Sequence, residues 1–273
     1  MQVTWHGSEI QINQANYLKK VLEHFQMTNA KLTLTPLLNN WDPKLNAGKA
    51  MAAEITHYQS IIELLLYLMI GTHPDIAFAV TNLSQFCTNP SEDHYKAALH
   101  ICHYLVGTQD YTVVYSKTSD KGLYSVPIGL LIKSGNFFKL ARGIICWQSY
   151  AQKSIALSST EVEYMAISNC SRQAVWIKTL IEEIGFWLKA IPIYGDNQGL
   201  IFISSNAVQE KQIKHIDICY HYIHKLIGAK QVDLYFVPGE MNPANIFTKN
   251  LAKVKFTQFQ NQMGLDFNKS KST

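Results

Sequence analysis

Between Lys121 and Thr160 the sequence contains no aspartate or glutamate. Chemistry that needs a carboxylate, as metal ligand or proton acceptor, is excluded along that stretch. Charge is sparse elsewhere too, at 16% of 273 residues against 47% hydrophobic. That balance suits a packed chain and argues against extended disorder. A net charge of +4 permits phosphate binding without pointing to it, since nucleic-acid-binding domains are usually more basic or carry a concentrated stripe. The five cysteines (Cys87, Cys102, Cys146, Cys170, Cys219) are scattered, and no pair has CxxC spacing. Neither a zinc site nor a disulfide framework is indicated, and a reducing compartment, cytoplasm or nucleus, is expected. Long hydrophobic runs are missing. The richest, Ile61 to Ile70, is short, contains Glu63 and reads as a buried helix, so no membrane association is expected. Met1 is followed by Gln2-Val3-Thr4-Trp5, which is not a signal-peptide pattern. There is no internal repeat or low-complexity tract.

Val3 and Trp5, then Ile10 and Ile12, alternate with polar neighbours around His6-Gly7-Ser8, a hairpin pattern. Asn13 can cap a helix from Gln14 to about Met27. Lys31 to Lys49, with Pro36, Pro43 and Gly48, reads as loop. Helices are expected from about Glu54 to Met69, Pro74 to Phe86 and Pro90 to Val106, the last with Asn89 as N-cap and Glu92 as its capping-box partner. Strand patterns follow at Tyr111–Ser116, Ile128–Ile132 and Gly143–Trp147. A long helix spans about Ser159 to Ile184, with Ser158 and Glu161 as capping box and Gly185 as stop. A short strand Ala190–Tyr194, a helix Ile213–Ile227, a strand Val232–Val237, a helix Ala252–Met263 and a polar tail complete the chain. Strands that then alternate with helices argue for an α/β domain from about Lys117 onward.

Several blocks are more specific than these patterns. The first region carries Gly71-Thr72-His73-Pro74-Asp75-Ile76-Ala77, Asn89-Pro90-Ser91-Glu92-Asp93-His94 and Tyr104-Leu105-Val106-Gly107-Thr108. The second carries Ala156-Leu157-Ser158-Ser159-Thr160-Glu161-Val162-Glu163-Tyr164-Met165-Ala166, Tyr194-Gly195-Asp196-Asn197-Gln198, Lys214-His215-Ile216-Asp217 and Pro243-Ala244-Asn245-Ile246-Phe247-Thr248-Lys249. In this order and spacing they resemble the Pol polyprotein of copia-type LTR retrotransposons, at the end of its reverse transcriptase and in its ribonuclease H domain. The resemblance implies a mostly helical reverse-transcriptase thumb/connection region over residues 1–116. It implies an α/β ribonuclease H-like mixed sheet with flanking helices over 117–265, and a polar tail at 266–273. The family's Tyr-x-Asp-Asp polymerase motif is matched only weakly by Tyr194-Gly195-Asp196-Asn197, so no reverse-transcriptase active site is expected here.

The ribonuclease H family hydrolyses RNA in RNA–DNA hybrids with four acids that hold two Mg²⁺ ions. They lie on the first strand, on the first helix, at the end of the fourth strand and near the last helix. The resemblance assigns the helix acid to Glu163 and the fourth-strand acid to Asp196, as catalytic and metal-binding residues. Glu163 lies in line with Ala166, Ile167, Cys170, Ala174, Ile177 and Ile181, and an acid heading a core-facing stripe is unusual. Glu161, two residues away, faces elsewhere and suits the helix cap. Asp196 also fits an N-cap of the segment after its strand. The first-strand position falls at Val126 and the fourth acid is replaced by Asn245, so both positions are degenerate. The stretch Tyr124 to Cys146 also lacks the family's pattern and is several residues shorter.

Three readings follow: a fragment impaired by loss of two acids, an active endonuclease that uses an unrecognised acid, or a module that binds nucleic acid without cutting. Partners implied by the resemblance are an RNA–DNA hybrid or other nucleic acid. His221 and His224, with His215 and Asp217 nearby, could bind a metal, although packing histidines are commoner. Lys211, Lys214, Lys225 and Lys230 could touch phosphates, although a solvated helix face is the default.

Overall fold

The alternation at the N-terminus forms a hairpin in the computed structural model, which describes residues 1–38, 41–116, 124–129, 133–151, 159–196 and 214–267. Strands β1 (Gln2–His6) and β2 (Glu9–Asn13) pair antiparallel across Gly7. The Asn13 side chain accepts the Ala15 N–H at 3.1 Å, and α1 (Ala15–His24) buries Leu18, Val21 and Leu22. Helix α2 (Ala52–Gly71) buries Tyr58, Ile61, Ile62, Leu65 and Leu68. A 3₁₀ turn (Pro74–Ile76) leads into α3 (Ala77–Ser84), and α4 (Glu92–Val106) follows. The cap of α4 is Ser91 rather than Asn89. Ser91 Oγ accepts the His94 N–H (3.4 Å) and His94 Nδ1 accepts the Ser91 N–H (3.0 Å), the role expected of Glu92. Asn89 serves the preceding loop instead, accepting from the Ala50 N–H (2.9 Å) and donating to Gly48 O (3.0 Å). Strand β3 (Tyr111–Ser116) has the expected bounds.

The next strands are β4 (Tyr124–Gly129), β5 (Lys133–Leu140) and β6 (Gly143–Ala151). The strand expected at Ile128–Ile132 therefore starts earlier. Strand β5 is hidden in sequence by Ser134-Gly135-Asn136, poor strand formers that are accepted here because both faces of the strand are covered. Helix α5 (Ser159–Glu183), β7 (Ile191–Gly195), α6 (Lys214–Gly228) and β8 (Val232–Phe236) follow. Two 3₁₀ turns (Gly239–Met241, Pro243–Phe247), α7 (Lys253–Met263) and β9 (Leu265–Phe267) close the order. The capping box at Ser158 and Glu161 lies outside the described residues and side chains.

The chain divides into two units, Met1–Lys117 with Lys249–Thr273, and Thr118–Thr248. This differs from the expected 117–265 span. Helix α7 belongs to the first unit because it buries Phe256, Phe259 and Met263 there, and β9 pairs with β3. Burial of each such side chain contributes about 1.5–3 kcal/mol. The strand β9 also takes Asp266 and Phe267 out of the expected tail. The first unit's sheet has the order β1-β2-β3-β9, antiparallel throughout.

The second unit's sheet has the order β6-β5-β4-β7-β8. Its first three strands are antiparallel, and β4, β7 and β8 are parallel. Cys170, Ala174 and Ile177 of α5 pack against Phe138, Ile191, Ile193 and Val232 of the sheet. This is the stripe that the sequence placed in line with Glu163. On its flank, Tyr164 and Ile167 meet Ile223 of α6. No helix among the described residues is long and apolar enough to cross a membrane, and none of the five cysteines is in a disulfide.

Candidate active site

Strand β7, an interior strand of the sheet, leads at its C-terminal end to Asp196, the acid expected there. Alternate residues Ile191 and Ile193 are buried, and the strand ends at Gly195 with Asp196 next. The Val237 N–H donates to Gly195 O (2.8 Å), so the chain after β8 is held beside the end of β7. That return leads into the Pro238-Gly239 turn. A Cβ added at Gly239 would lie 3.2 Å from Asp196 Oδ2. Glycine is what allows the turn to sit this close to the carboxylate.

The same turn holds Asn245. Asn242 Oδ1 accepts the Ala244 N–H (2.9 Å), capping the 3₁₀ turn that Pro243 opens. Phe247 is anchored to the sheet: its carbonyl accepts from Ser149 Oγ (2.6 Å), and its ring lies 6.0 Å from Phe137. Asn245 is 2% exposed, and its Nδ2 donates to Gly239 O (2.6 Å) and Asn242 O (2.8 Å). Two carbonyl acceptors fix the amide's orientation. Its Oδ1 is buried without a hydrogen-bond partner. Asp196 and Asn245 therefore meet through Gly239, which touches both.

Glu163 sits in the second turn of α5, half-buried between Val162 and Tyr164, which are both buried. Ile167, one turn further on, reaches to 3.6 Å from where a Cβ on Gly195 would stand. The helix segment with Glu163 thus runs against the strand end with Asp196. Val126 lies on β4, the central strand, opposite Phe137 of β5 and one residue beyond Ser125, the partner of Ile193. Strand β4 also touches α5 and the 243–247 turn. Pro127 follows Val126 and brings no N–H to either neighbouring strand, an uncommon choice for a central position.

Of the histidine cluster, two rings are described, and both lie near Tyr220. His224 lies 4.1 Å from the Tyr220 ring and His221 5.6 Å from it, while the side chains of His215 and Asp217 lie outside the description. Among the described residues no group of three or more His, Cys, Asp or Glu side chains could hold a metal ion. Lys225 and Lys230 are exposed, and the Lys211 and Lys214 side chains lie outside the description. The short helix that Asp196 could cap does too. Burial raises the Cys146 thiol's pKa, although Gln173 donates to its sulfur (2.6 Å). Gly239 is the site residue that sequence reasoning missed. The signal for it was the Pro-Gly pair after an apolar strand.

Numbered from β4, the sheet runs third, second, first, fourth, fifth strand. The long helix follows the third strand, which defines a ribonuclease H-like fold. No protein-family model matches the chain. It is 32% identical over 270 residues to the retrovirus-related Pol polyprotein from transposon TNT 1-94 of Nicotiana tabacum, covering 94% of this chain and 20% of that protein. It is 31% identical over 265 residues to the Pol polyprotein from transposon RE1 of Arabidopsis thaliana, covering 94% and 18%. The chain belongs to the Pol polyproteins of copia-type retrotransposons and spans about a fifth of the length of these relatives. Among solved structures, a foamy viral protease-reverse transcriptase in complex with double-stranded DNA matches 87% of this chain and 38% of its own, with 9% identity and a TM-score of 0.49.

Proposed function

We propose that residues 118–248 descend from an endonuclease that cut RNA in RNA–DNA hybrids by a two-metal mechanism, and that the centre is now disabled. On this reading residues 1–117 are the end of a reverse transcriptase. Glu163 and Asp196 are the surviving acids, while Val126 and Asn245 stand where acids were lost. The observation that carries the reading is Asn245. Beside Asp196, where the family sets a carboxylate, an amide commits both Nδ2 hydrogens to backbone carbonyls. Its remaining oxygen is neutral and binds a hard cation less tightly than a carboxylate does.

Two Mg²⁺ ions about 4 Å apart need carboxylates converging from several elements. Two acids, one buried amide oxygen and an aliphatic side chain do not supply them. Among the described residues, the set therefore does not fit a two-ion centre. What the unit keeps is a surface for nucleic acid, an RNA–DNA hybrid first, and the exposed Lys225 and Lys230 support this. Five cysteines outside any disulfide fit a cytoplasmic or nuclear location.

The test is one titration read two ways. Purified chain is mixed with a labelled hybrid in Mg²⁺ or Mn²⁺, and anisotropy and strand length are followed together. Binding that weakens with salt, with the RNA strand intact, is expected. Cleavage that disappears in Glu163→Gln or Asp196→Asn would overturn the disabled centre. Absence of binding would overturn the nucleic-acid reading.

A further inference from the structure

Five large apolar side chains stand exposed in one short stretch of the second unit. Trp176 is 63% exposed, Leu180 43%, Ile184 65%, Phe186 67% and Trp187 87%. Trp176, Leu180 and Ile184 recur every four residues, so they form a strip along one side of α5 and its end. The other side of the same turns buries Ala174 and Ile177 in the core. Gly185, with φ at 98°, ends the helix. Its N–H reaches Glu182 O (2.9 Å) and the Phe186 N–H reaches Ile181 O (3.1 Å), a left-handed cap that suits glycine. The two aromatic residues after the cap stay in solvent. Together the five side chains present on the order of 600 Å² of apolar surface, judged from aromatic areas of about 150–250 Å² each. That is more than scattered exposed residues account for. It approaches the ~800 Å² that each partner of a standard interface buries.

One charge of each sign flanks the strip. Arg172 is one turn before Trp176, and Glu183 is three residues after Leu180. They are three helical turns apart and lie on the same side of α5 as Trp176. Arg172 is exposed but held: its guanidinium lies 5.4 Å from the Tyr222 ring centre, and Nη1 donates to Asn169 Oδ1 (3.4 Å).

We propose that this strip is a homodimer interface in which two copies pair α5 antiparallel. In a twofold contact, residue i meets j and j meets i. An axis midway between Trp176 and Leu180 sets Trp176 against Leu180 of the partner subunit, twice. The same axis brings Arg172 to within one residue, about 1.5 Å along the helix, of Glu183 of the partner subunit, also twice. Parallel pairing in register would instead set Arg172 against Arg172 of the partner subunit. The strip's apolar centre and charge order are thus complementary to themselves, and this commits it to a second copy of the chain.

Sedimentation of the full chain over a concentration series tests this. A dimer that dissociates on dilution is expected. Trp176→Glu should raise its dissociation constant about thirtyfold, the size of an interface hot spot. Arg172→Glu and Glu183→Arg should each weaken it about tenfold, and the double reversal should restore it. Far-UV circular dichroism checks that each variant folds. If Trp176→Glu does not fold, Leu180→Gln and the charge reversals carry the test. A chain that stays monomeric would assign the strip to another partner, such as further Pol sequence, and overturn the proposal. So would a dimer indifferent to Trp176→Glu, or a double reversal that fails to restore pairing.

Discussion

The two units bury polar groups in different ways. In the first, Asp75 is 1% exposed, and one of its oxygens accepts from the Tyr104 hydroxyl and from Gln260 Nε2 (2.9 Å). His73 Nδ1 lies 3.5 Å from the other oxygen. Gln260 Nε2 also donates to the Tyr104 oxygen (2.7 Å). Burial, then the neighbouring Asp75 charge, pushes the Tyr104 hydroxyl well above its usual range and Tyr111 up to about 12, so both stay neutral. One buried carboxylate thus ties the His73–Asp75 turn to α4 and α7. Both units also leave buried polar atoms without a hydrogen-bond partner: Gln11 Oε1 and Ser116 Oγ in the first, and Asn136 Oδ1, Ser168 Oγ, Ser171 Oγ and Asn245 Oδ1 in the second. Each such atom costs about 1–3 kcal/mol or holds a buried water. A buried acid survives where it holds the fold together. In the turn beside Asp196, by contrast, the buried atom left over is the neutral amide oxygen of Asn245.

Removing the first unit's network should break this contrast most strongly. Asp75→Ala strands Tyr104, Gln260 and His73 together, and should destabilise the first unit by about 3–5 kcal/mol. Denaturant unfolding measures the loss. Hydrogen exchange should place it in α4 and α7 while the second unit's sheet keeps its protection. A loss below about 1 kcal/mol would mean the network is not structural.

Asn245→Asp probes the second unit. A carboxylate in that place would set an oxygen against the carbonyls of Gly239 and Asn242. The cost should be about 1–3 kcal/mol at pH 7. The introduced carboxyl would have a raised pKa in the fold, since only its protonated form can donate. Stability would therefore be best below the unfolded value of about 3.9 and lost as pH rises through the folded pKa. Thermal melts against pH would show this. A variant as stable as the parent at neutral pH would mean the amide's two hydrogen bonds do not hold the turn.

The smallest effect concerns the cap of α4. His94 Nδ1 accepts the Ser91 N–H, so that nitrogen must be unprotonated. Burial lowers the pKa of His94, and likewise that of His100. With folded pKa values depressed, their contribution is full above the unfolded value of about 6.5 and is lost as pH falls through the folded values. The first unit should lose about 1 kcal/mol on mild acidification, near the worth of one cap. His94→Phe, which can still stack on Phe86, should flatten that slope.

Much of this was legible in the sequence. The stripe from Glu163 through Ala174, the stop at Gly185 and the strand leading to Asp196 follow from periodicity and capping chemistry. Strand β5 did not, because Ser134-Gly135-Asn136 carries no strand pattern and owes its place to packing on both faces. The home of α7 was hidden for a similar reason. Its Phe256, Phe259 and Met263 announce a buried face but not which core receives it. Glu163 and Asp196 were marked by the family pattern. The part played by Gly239 and the locked amide of Asn245 depended on a turn whose geometry no spacing encodes.

Restoring the lost acids tests the disabled centre most directly. Hybrid cleavage with Mg²⁺ is compared between the parent chain and Val126→Asp/Asn245→Asp, with Mg²⁺ affinity measured on the same samples by calorimetry. The parent should leave the RNA strand intact. The folded double variant should bind Mg²⁺ at least about tenfold more tightly and begin to cut. Cleavage by the parent that is abolished by Glu163→Gln would contradict a disabled centre.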